Sequence, residues 1–229
     1  FNTKLEENQQ LVNNHDDVKN ETNVDSQPSV DEDISSTNSN HNAIDRELND
    51  YIKTQKEWLE SKYNQQQIID DSDDLGKLMT IIEAFKTRNH LEIDHFRLSR
   101  LTIPSHLVVK SNSVNLCVGF LHTGSNSFTA RIRNCNRLII NHPDTKFILW
   151  RDIRQPVITG RVAKEEIAKL NNSPNGGFLM MDRDNRINFE LIYKLIVDIQ
   201  NRDLEISLEE ALFMINSYLN NYWLIEHFL

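Results

Sequence analysis

The second half of the chain alternates short apolar runs with longer helical stripes, and this alternation limits the fold more than any other feature. Apolar, β-prone runs cover residues 106–110, 114–121, 147–150 and 178–181. Between them, apolar residues recur at helical spacing, as in Phe128, Ile132, Cys135 and Ile139. Strands that alternate with helices are typical of an α/β domain. We therefore predict an α/β fold with a mainly parallel sheet of about four to five strands flanked by helices.

Two strand runs give more local predictions. Only the short polar segment Ser111–Ser113 separates the runs 106–110 and 114–121, and a connection of this length suits a hairpin. The run Phe147–Trp150 is continuously apolar, which is typical of a strand buried on both faces. We expect this strand near the centre of the sheet.

The first part of the chain differs in composition. Residues 1–42 are mostly Asn, Asp, Glu, Ser and Gln, which predicts a disordered acidic arm. Residues 43–95 show helical apolar spacing and predict a helical lead-in, whose second helix would be capped by Asp73 or Asp74. Residues 96–229 then form the compact α/β domain.

The first residue, the cysteines and the apolar runs predict the cellular location and the partners of the chain. The first residue is Phe1 and not Met, so we expect one module of a larger intracellular protein, with upstream domains of the same polypeptide as partners. Cys117 and Cys135 lie in separate apolar segments, which favours a reducing compartment and a cytoplasmic location. No apolar run approaches the ~18 residues of a membrane helix, so no membrane partner is expected.

The charges of the chain are unevenly distributed along it. The formal net charge is −9, yet residues 85–165 hold 13 Lys and Arg against five Asp and Glu. The segments before and after this basic third are both acidic. A basic segment of this size is typical of modules that bind nucleic acid or another polyanion. We predict such a binding or accessory function.

Arginine side chains are the best candidates for this binding, because a guanidinium group recognises phosphate with two hydrogen bonds. Two of them directly follow the buried run 147–150, where an open α/β sheet binds its ligands. We expect Arg154 to contact the polyanion with little role in stability, and Arg151 to pair with its neighbour Asp152. The predicted anion-binding residues are Arg131, Arg133, Arg137, Arg151, Arg154 and Arg161.

A metal-dependent phosphoesterase or nuclease is the first alternative. The segment His90–His95 resembles the His-x-His-x-Asp-His signature of the metallo-β-lactamase-like hydrolases, with Glu92 in place of the middle histidine. The resemblance implies His90, Asp94 and His95 as candidate metal ligands. In that family the signature follows a strongly apolar strand, which is not the pattern before His90.

Protein–protein interaction is the second alternative. The helix predicted at 43–63 and the terminal helix predicted from Leu208 both have an apolar face that needs a covering surface. The sequence assigns no catalytic residue and no cofactor. The three functions therefore stay open as alternatives at this point.

Overall fold

The computed structural model describes residues 33–65, 70–97, 100–111, 115–219 and 222–228. Residues 1–32 of the predicted acidic arm lie outside these residues, so their disorder stays a prediction, whereas residues 33–42 form the start of a helix and correct the predicted end of the arm. The described residues form helices and strands in this order: α1 Asp33–Lys62, α2 Asp71–Asn89, β1 Glu92–Asp94, β2 Ser105–Lys110, β3 Asn115–Phe120, α3 Ser125–Asn141, β4 Lys146–Asp152, α4 Arg161–Asn172, β5 Gly176–Met181, α5 Arg183–Gln200, α6 Leu208–Tyr218 and α7 Trp223–Phe228.

The strands form one five-stranded sheet in the order β1-β2-β3-β4-β5. The pairs β1–β2 and β2–β3 are antiparallel, whereas β3–β4 and β4–β5 are parallel. The prediction of an α/β fold is confirmed, but the sheet is mixed and not mainly parallel. The short connection between β2 and β3 can only join antiparallel neighbours, while α3 and α4 provide the longer crossovers that parallel neighbours need.

Helices cover both faces of the sheet. On one face α3 and α4 pack against Phe147 and Leu149, and on the other α2, α5, α6 and α7 share a larger core with Ile148 and Trp150. Strand β4 thus buries alternate side chains in two different cores, which confirms the prediction of a strand buried on both faces. Among the described residues, no helix combines the length and the apolar composition needed to cross a membrane.

Helix α2 begins earlier than the sequence predicts. Its N-cap is Asp70, whose carboxylate accepts hydrogen bonds from the backbone N–H groups of Ser72 and Asp73. The predicted caps Asp73 and Asp74 therefore lie within the first turn. Several neighbouring aspartates are all suitable caps, so the sequence did not fix which one is used. The earlier start leaves the carboxylate of Asp74 fully buried inside the domain.

The close approach of β2 and β3 depends on Gly119. A Cβ atom at this position would lie 2.8 Å from the backbone oxygen of Ser105 and 2.9 Å from a methyl carbon of Leu149. Any larger residue would push these strands apart. The glycine thus fixes the ends of β2, β3 and β4 close to one another, at the edge where the loops that lead to α3 and α4 begin.

Candidate functional site

Polar and charged side chains gather at the carboxyl ends of β3 and β4. The chain leaves β3 after Phe120 and β4 after Asp152, and both loops lead directly into helices of the same layer. Two cavities, of about 350 and about 370 Å³, open at this edge. The carboxyl edge is the usual place for ligands in open α/β sheets, so its residues form the candidate site.

Arg151 ties the two loops together. Its side chain is buried, with 1% of the residue exposed. One terminal nitrogen, Nη1, donates hydrogen bonds to the backbone oxygens of Leu121, His122 and Thr123 at 2.8–2.9 Å. The other, Nη2, donates to the oxygen of Pro156 at 3.0 Å. One guanidinium group therefore sets the positions of the β3–α3 and β4–α4 loops relative to each other.

The charge of Arg151 has an unusual environment. Among the described residues, its hydrogen-bond partners are all neutral backbone carbonyls, and the ring of Phe128 lies beneath it at 5.3 Å. Burial lowers the pKa of Arg151, and the nearby carboxylates of Asp71 and Asp152 partly offset this shift. An arginine keeps its charge at neutral pH even so. Within the described part of the chain, the site therefore contains a buried positive charge that hydrogen-bonds to no carboxylate.

The 370 Å³ cavity lies beside Arg151, at the start of both α3 and α4. The N-cap residues of these helices are Gly124 and Gly160, and neither supplies a side-chain hydrogen bond to the first turn. The first backbone N–H groups of a helix have no acceptor within the helix and carry a partial positive charge. The cavity therefore borders two uncapped helix starts, with polar side chains of Asn126, Thr129 and Thr159 in its wall.

A closed network of charges occupies the other side of the same edge. Arg186 donates hydrogen bonds to both carboxylate oxygens of Asp74 at 2.6 Å and to Asp152 at 3.0 Å. Burial raises the pKa of Asp74, but the hydrogen bonds from Arg186 and His122 outweigh that effect and lower the pKa to about 2. The carboxylate stays ionised at neutral pH, so this network holds α2, β4 and α5 together as charged partners.

His122 is fully engaged within this network. Its Nε2 lies 2.6 Å from a carboxylate oxygen of Asp74, and its Nδ1 accepts the backbone N–H of Asp152 at 3.3 Å. The second contact requires an unprotonated Nδ1, so Nε2 carries the proton and donates to Asp74. Because both ring nitrogens have partners, His122 is not placed to act as a general base or a metal ligand. It positions the loop that follows β3.

Arg154 and Arg151 have roles that differ from the expectation. Asp152 pairs with Arg154 at 2.7 Å and not with Arg151, because consecutive residues of a strand face opposite sides of the sheet. Arg154 also donates to the backbone oxygen of Tyr63 at 2.9 Å and lies 4.5 Å from the centre of that ring. These contacts favour a stabilising role for Arg154, and its expected contact with a polyanion stays a prediction.

The four other predicted arginines lie together on the neighbouring helices α3 and α4. Arg131 pairs with Asp71 at 2.8 Å beside the 350 Å³ cavity, and the structure leaves about a quarter of its side chain exposed. Arg133 reaches Glu166, and Arg137 donates to the side chain of Asn134. Arg161 pairs with Glu165 but has 92% of its side chain exposed. The structure thus brings these four side chains onto one layer of the domain.

The predicted metal ligands have separate contacts and do not share a site among the described residues. His90 ends α2 in the left-handed conformation, with φ 50°. Asp94 lies in β1 and pairs with Lys110 at 3.2 Å, while Nδ1 of His95 contacts the backbone oxygen of His106. Within the described ranges, no group of three or more His, Cys, Asp or Glu side chains is arranged to hold a metal ion.

Sequence reasoning missed His122 and Arg186, and it did not place Asp74 and Asp152 in one buried network. His122 and Asp152 both sit at the carboxyl end of an apolar strand, which is a signal that points to the ligand edge of the sheet. Asp74 was considered only as a cap, and Arg186 lies within the polar start of α5, where its burial has no sequence signature. The partners of these charges become visible only when α2 and α5 meet in three dimensions.

Comparison with protein-family models, curated proteins and solved structures finds no match for this chain.

Proposed function

We propose that the α/β domain binds nucleic acid, through its phosphate groups, on the layer formed by α3 and α4. Together these two helices hold six Lys and Arg residues and only two Asp and Glu residues. On the opposite layer, α2, α5, α6 and α7 hold six basic and ten acidic residues. A negative chain of phosphates is therefore attracted to one face of the domain and repelled from the other.

The basic side chains of this layer are accessible to a long ligand. Five of the six are exposed at the surface, and their nitrogens can reach phosphates without unfolding any element. Exposed ion pairs such as Arg161 with Glu165 contribute little to stability, so exchanging the carboxylate for a phosphate costs little. The exposed basic residues are Arg133, Arg137, Arg161, Lys164 and Lys169.

The observation that carries the proposal is the cavity between the starts of α3 and α4. Both helices begin at glycine N-caps, so the N-cap residue supplies no side-chain hydrogen bond to their first N–H groups. Arg151 adds a buried positive charge beside the same cavity. Helix starts of this kind bind phosphate groups through backbone N–H groups and the helix dipole. One phosphate would occupy this cavity while its neighbours follow the exposed basic side chains.

Salt dependence of binding tests the proposal. Fluorescence anisotropy of a labelled oligothymidylate and a labelled duplex is measured across a salt series. Binding through several phosphates releases counterions, so affinity is expected to fall steeply and log-linearly with salt. Undetectable binding at low salt, or an affinity that does not change with salt, contradicts the proposal.

Gly160→Asp tests the cavity itself. The backbone at Gly160 has φ −61° and ψ 128°, and an added Cβ would lie 3.8 Å from the Cβ of Ala163, so a side chain fits. An aspartate N-cap would bond the free N–H groups and repel phosphate while keeping the helix stable. We expect at least about tenfold weaker oligonucleotide binding, about 1.4 kcal/mol, without loss of stability.

Gly160→Asn is the matched control for charge. Asparagine caps the same N–H groups without a negative charge, so its affinity should fall between those of the wild type and Gly160→Asp. If the aspartate variant binds oligonucleotide as tightly as the wild type, the cavity is not the phosphate site.

A further inference from the structure

A groove on the opposite layer has features of a second binding surface. Helix α6 lies beside α1: Ser207 and Ile44 line the same cavity at one end, and at the other end the Nζ of Lys56 lies 5.6 Å from the ring centre of Tyr218. A cavity of about 500 Å³ opens between the two helices. It exceeds the cavities of 350 and 370 Å³ at the carboxyl edge of the sheet.

The floor of this groove is apolar. Ile44 and Met214 are partly buried and pack against the main core, and Phe213 lies beside them with 61% of its surface exposed. A phenylalanine this exposed has little role in folding, because most of its ring remains in water in the folded state. A hydrophobic surface rimmed by polar groups is typical of an interaction site.

The rim of the groove is acidic. Asp45 contributes a carboxylate from α1, and Glu209 and Glu210 contribute two more from the first turn of α6. The carboxylate of Glu210 also completes the capping box with Ser207, so its charge is held in place. Among the described side chains, no Lys or Arg lines the cavity. A partner must therefore be apolar where it meets Phe213 and positively charged where it meets the rim.

We propose that the α1–α6 groove binds a cationic amphipathic helix of a partner protein. A helix that lays its apolar face into a groove between two helices is a common mode of peptide recognition. α6 has 11 residues, which corresponds to a length of about 16 Å and about three turns of a partner helix. The charge of the rim selects Lys and Arg on the polar flanks of that helix and rejects acidic ones.

A designed peptide provides the probe. A fluorescein-labelled helix of leucines and lysines, with leucines at i, i+3, i+4 and i+7, is titrated with the full chain and followed by anisotropy. The same helix with glutamate in place of lysine is the charge control. We expect saturable binding of the lysine peptide and none of the glutamate peptide. Phe213→Ala should weaken binding about tenfold, and Glu209→Gln about threefold.

Matched variants on other surfaces distinguish binding at the groove from nonspecific binding of the peptide. Ile140 on α3 has 79% of its surface exposed, and Glu226 on α7 is an exposed carboxylate outside the groove. Ile140→Ala and Glu226→Gln should leave the affinity within twofold of the wild type. Equal weakening by the control variants, or full affinity in the Phe213→Ala/Glu209→Gln double variant, overturns the proposal.

A second copy of the chain is the competing occupant, and light scattering distinguishes it. The proposal predicts that the wild type and Phe213→Ala have the same mass in solution without peptide. A wild-type dimer that dissociates in Phe213→Ala shows instead that the groove is an interface between copies, and this overturns the assignment to a cationic partner.

Discussion

The two sides of the carboxyl edge of the sheet each bury an arginine, but the two arginines have different partners. On the side of α2 and α5, Arg186 lies between Asp74 and Asp152, so each charge has an opposite charge within 3.0 Å. On the side of α3 and α4, Arg151 is equally buried but hydrogen-bonds only to backbone carbonyls among the described residues. The first side is closed by its own ion pairs, and the second opens onto a cavity.

This difference separates a structural role from a binding role at one edge. Disrupting a buried ion pair costs much free energy, so such pairs hold secondary-structure elements in fixed positions. Their hydrogen-bonding groups are already used and cannot bind a ligand. Helix starts without a cap keep their hydrogen-bond donors available. The alternation of β4 divides the two roles, because it sends Arg151 to one side and Asp152 to the other.

Arg186→Met is expected to have the largest effect on stability. Methionine would fill the space but leave Asp74 and Asp152 without their shared partner in a buried position. Removing one member of a buried ion network typically costs about 3–5 kcal/mol. Urea unfolding of the two proteins measures this difference in the free energy of unfolding.

Arg183→Met is the control for this substitution. Arg183 lies on the same helix, but its pair with Glu60 is long, at 3.6 Å, and about half of its side chain is exposed. Its loss should change stability by less than about 0.5 kcal/mol. If folded Arg186→Met also loses oligonucleotide binding, the two sides of the edge are coupled and the division of roles is wrong.

Arg154→Ala is expected to lower stability by about 2 kcal/mol, because it removes charge-assisted hydrogen bonds to the buried Asp152. Arg161→Ala, which removes an exposed pair, should change stability by less than about 0.5 kcal/mol. Thermal unfolding and anisotropy are measured on both variants. The sequence also predicts weaker polyanion binding for Arg154→Ala. Weaker binding at unchanged stability would show that Arg154 belongs to the ligand side and not to the closed side.

The contacts of Arg151 and Arg154 show how much of the candidate site could be predicted from the sequence. The apolar run of β4 predicted a strand buried on both faces, which the structure confirms, and the ligand binding predicted at its carboxyl end stays a prediction. The sequence analysis paired Asp152 with Arg151, whereas in the structure Asp152 pairs with Arg154. The ion pair between Arg186 and Asp74 in the same network was not predictable. These two residues lie 112 positions apart in the chain and meet only after folding.

The mixed sheet has a similar explanation. The hairpin was predicted from the polar segment 111–113, and an antiparallel pair follows from any such hairpin. The second antiparallel neighbour, β1, has three residues and only Ile93 is partly buried in it, so it lacks the apolar run by which strands are recognised. Short edge strands take their structure from the strand beside them, and their own sequence gives little signal.

Acid should weaken the closed side of the edge in a defined range. The pKa of Asp74 is about 2 in the folded protein and about 3.9 in an unfolded chain. A lowered folded pKa stabilises the protein above the unfolded value, and the contribution disappears as the pH falls from about 4 to about 2. The loss corresponds to about 2 kcal/mol for this one group. Urea unfolding at a series of pH values measures it.

Asp74→Asn isolates this contribution. The variant has no carboxylate to titrate at this position, so its free energy of unfolding should fall less steeply between pH 4 and pH 2. It should also be less stable than the wild type at neutral pH, where Arg186 loses its doubly bonded partner. Parallel pH profiles for the two proteins would show that Asp74 does not supply the acid sensitivity.

Gly124→Ser is expected to have the smallest effect, and it tests the open side of the edge. The backbone at Gly124 is extended, with φ −113° and ψ −178°, and a Cβ there would meet nothing within 4 Å. Serine can therefore accept a hydrogen bond from the first turn of α3 and raise stability by a few tenths of a kcal/mol. The same hydrogen bond occupies a donor that phosphate would use, so oligonucleotide affinity should fall about twofold to threefold.

Gly76→Ala, within α2, should raise stability by up to about 1 kcal/mol and leave affinity unchanged. A Gly124→Ser variant that gains stability and keeps its full affinity would place the phosphate away from the start of α3.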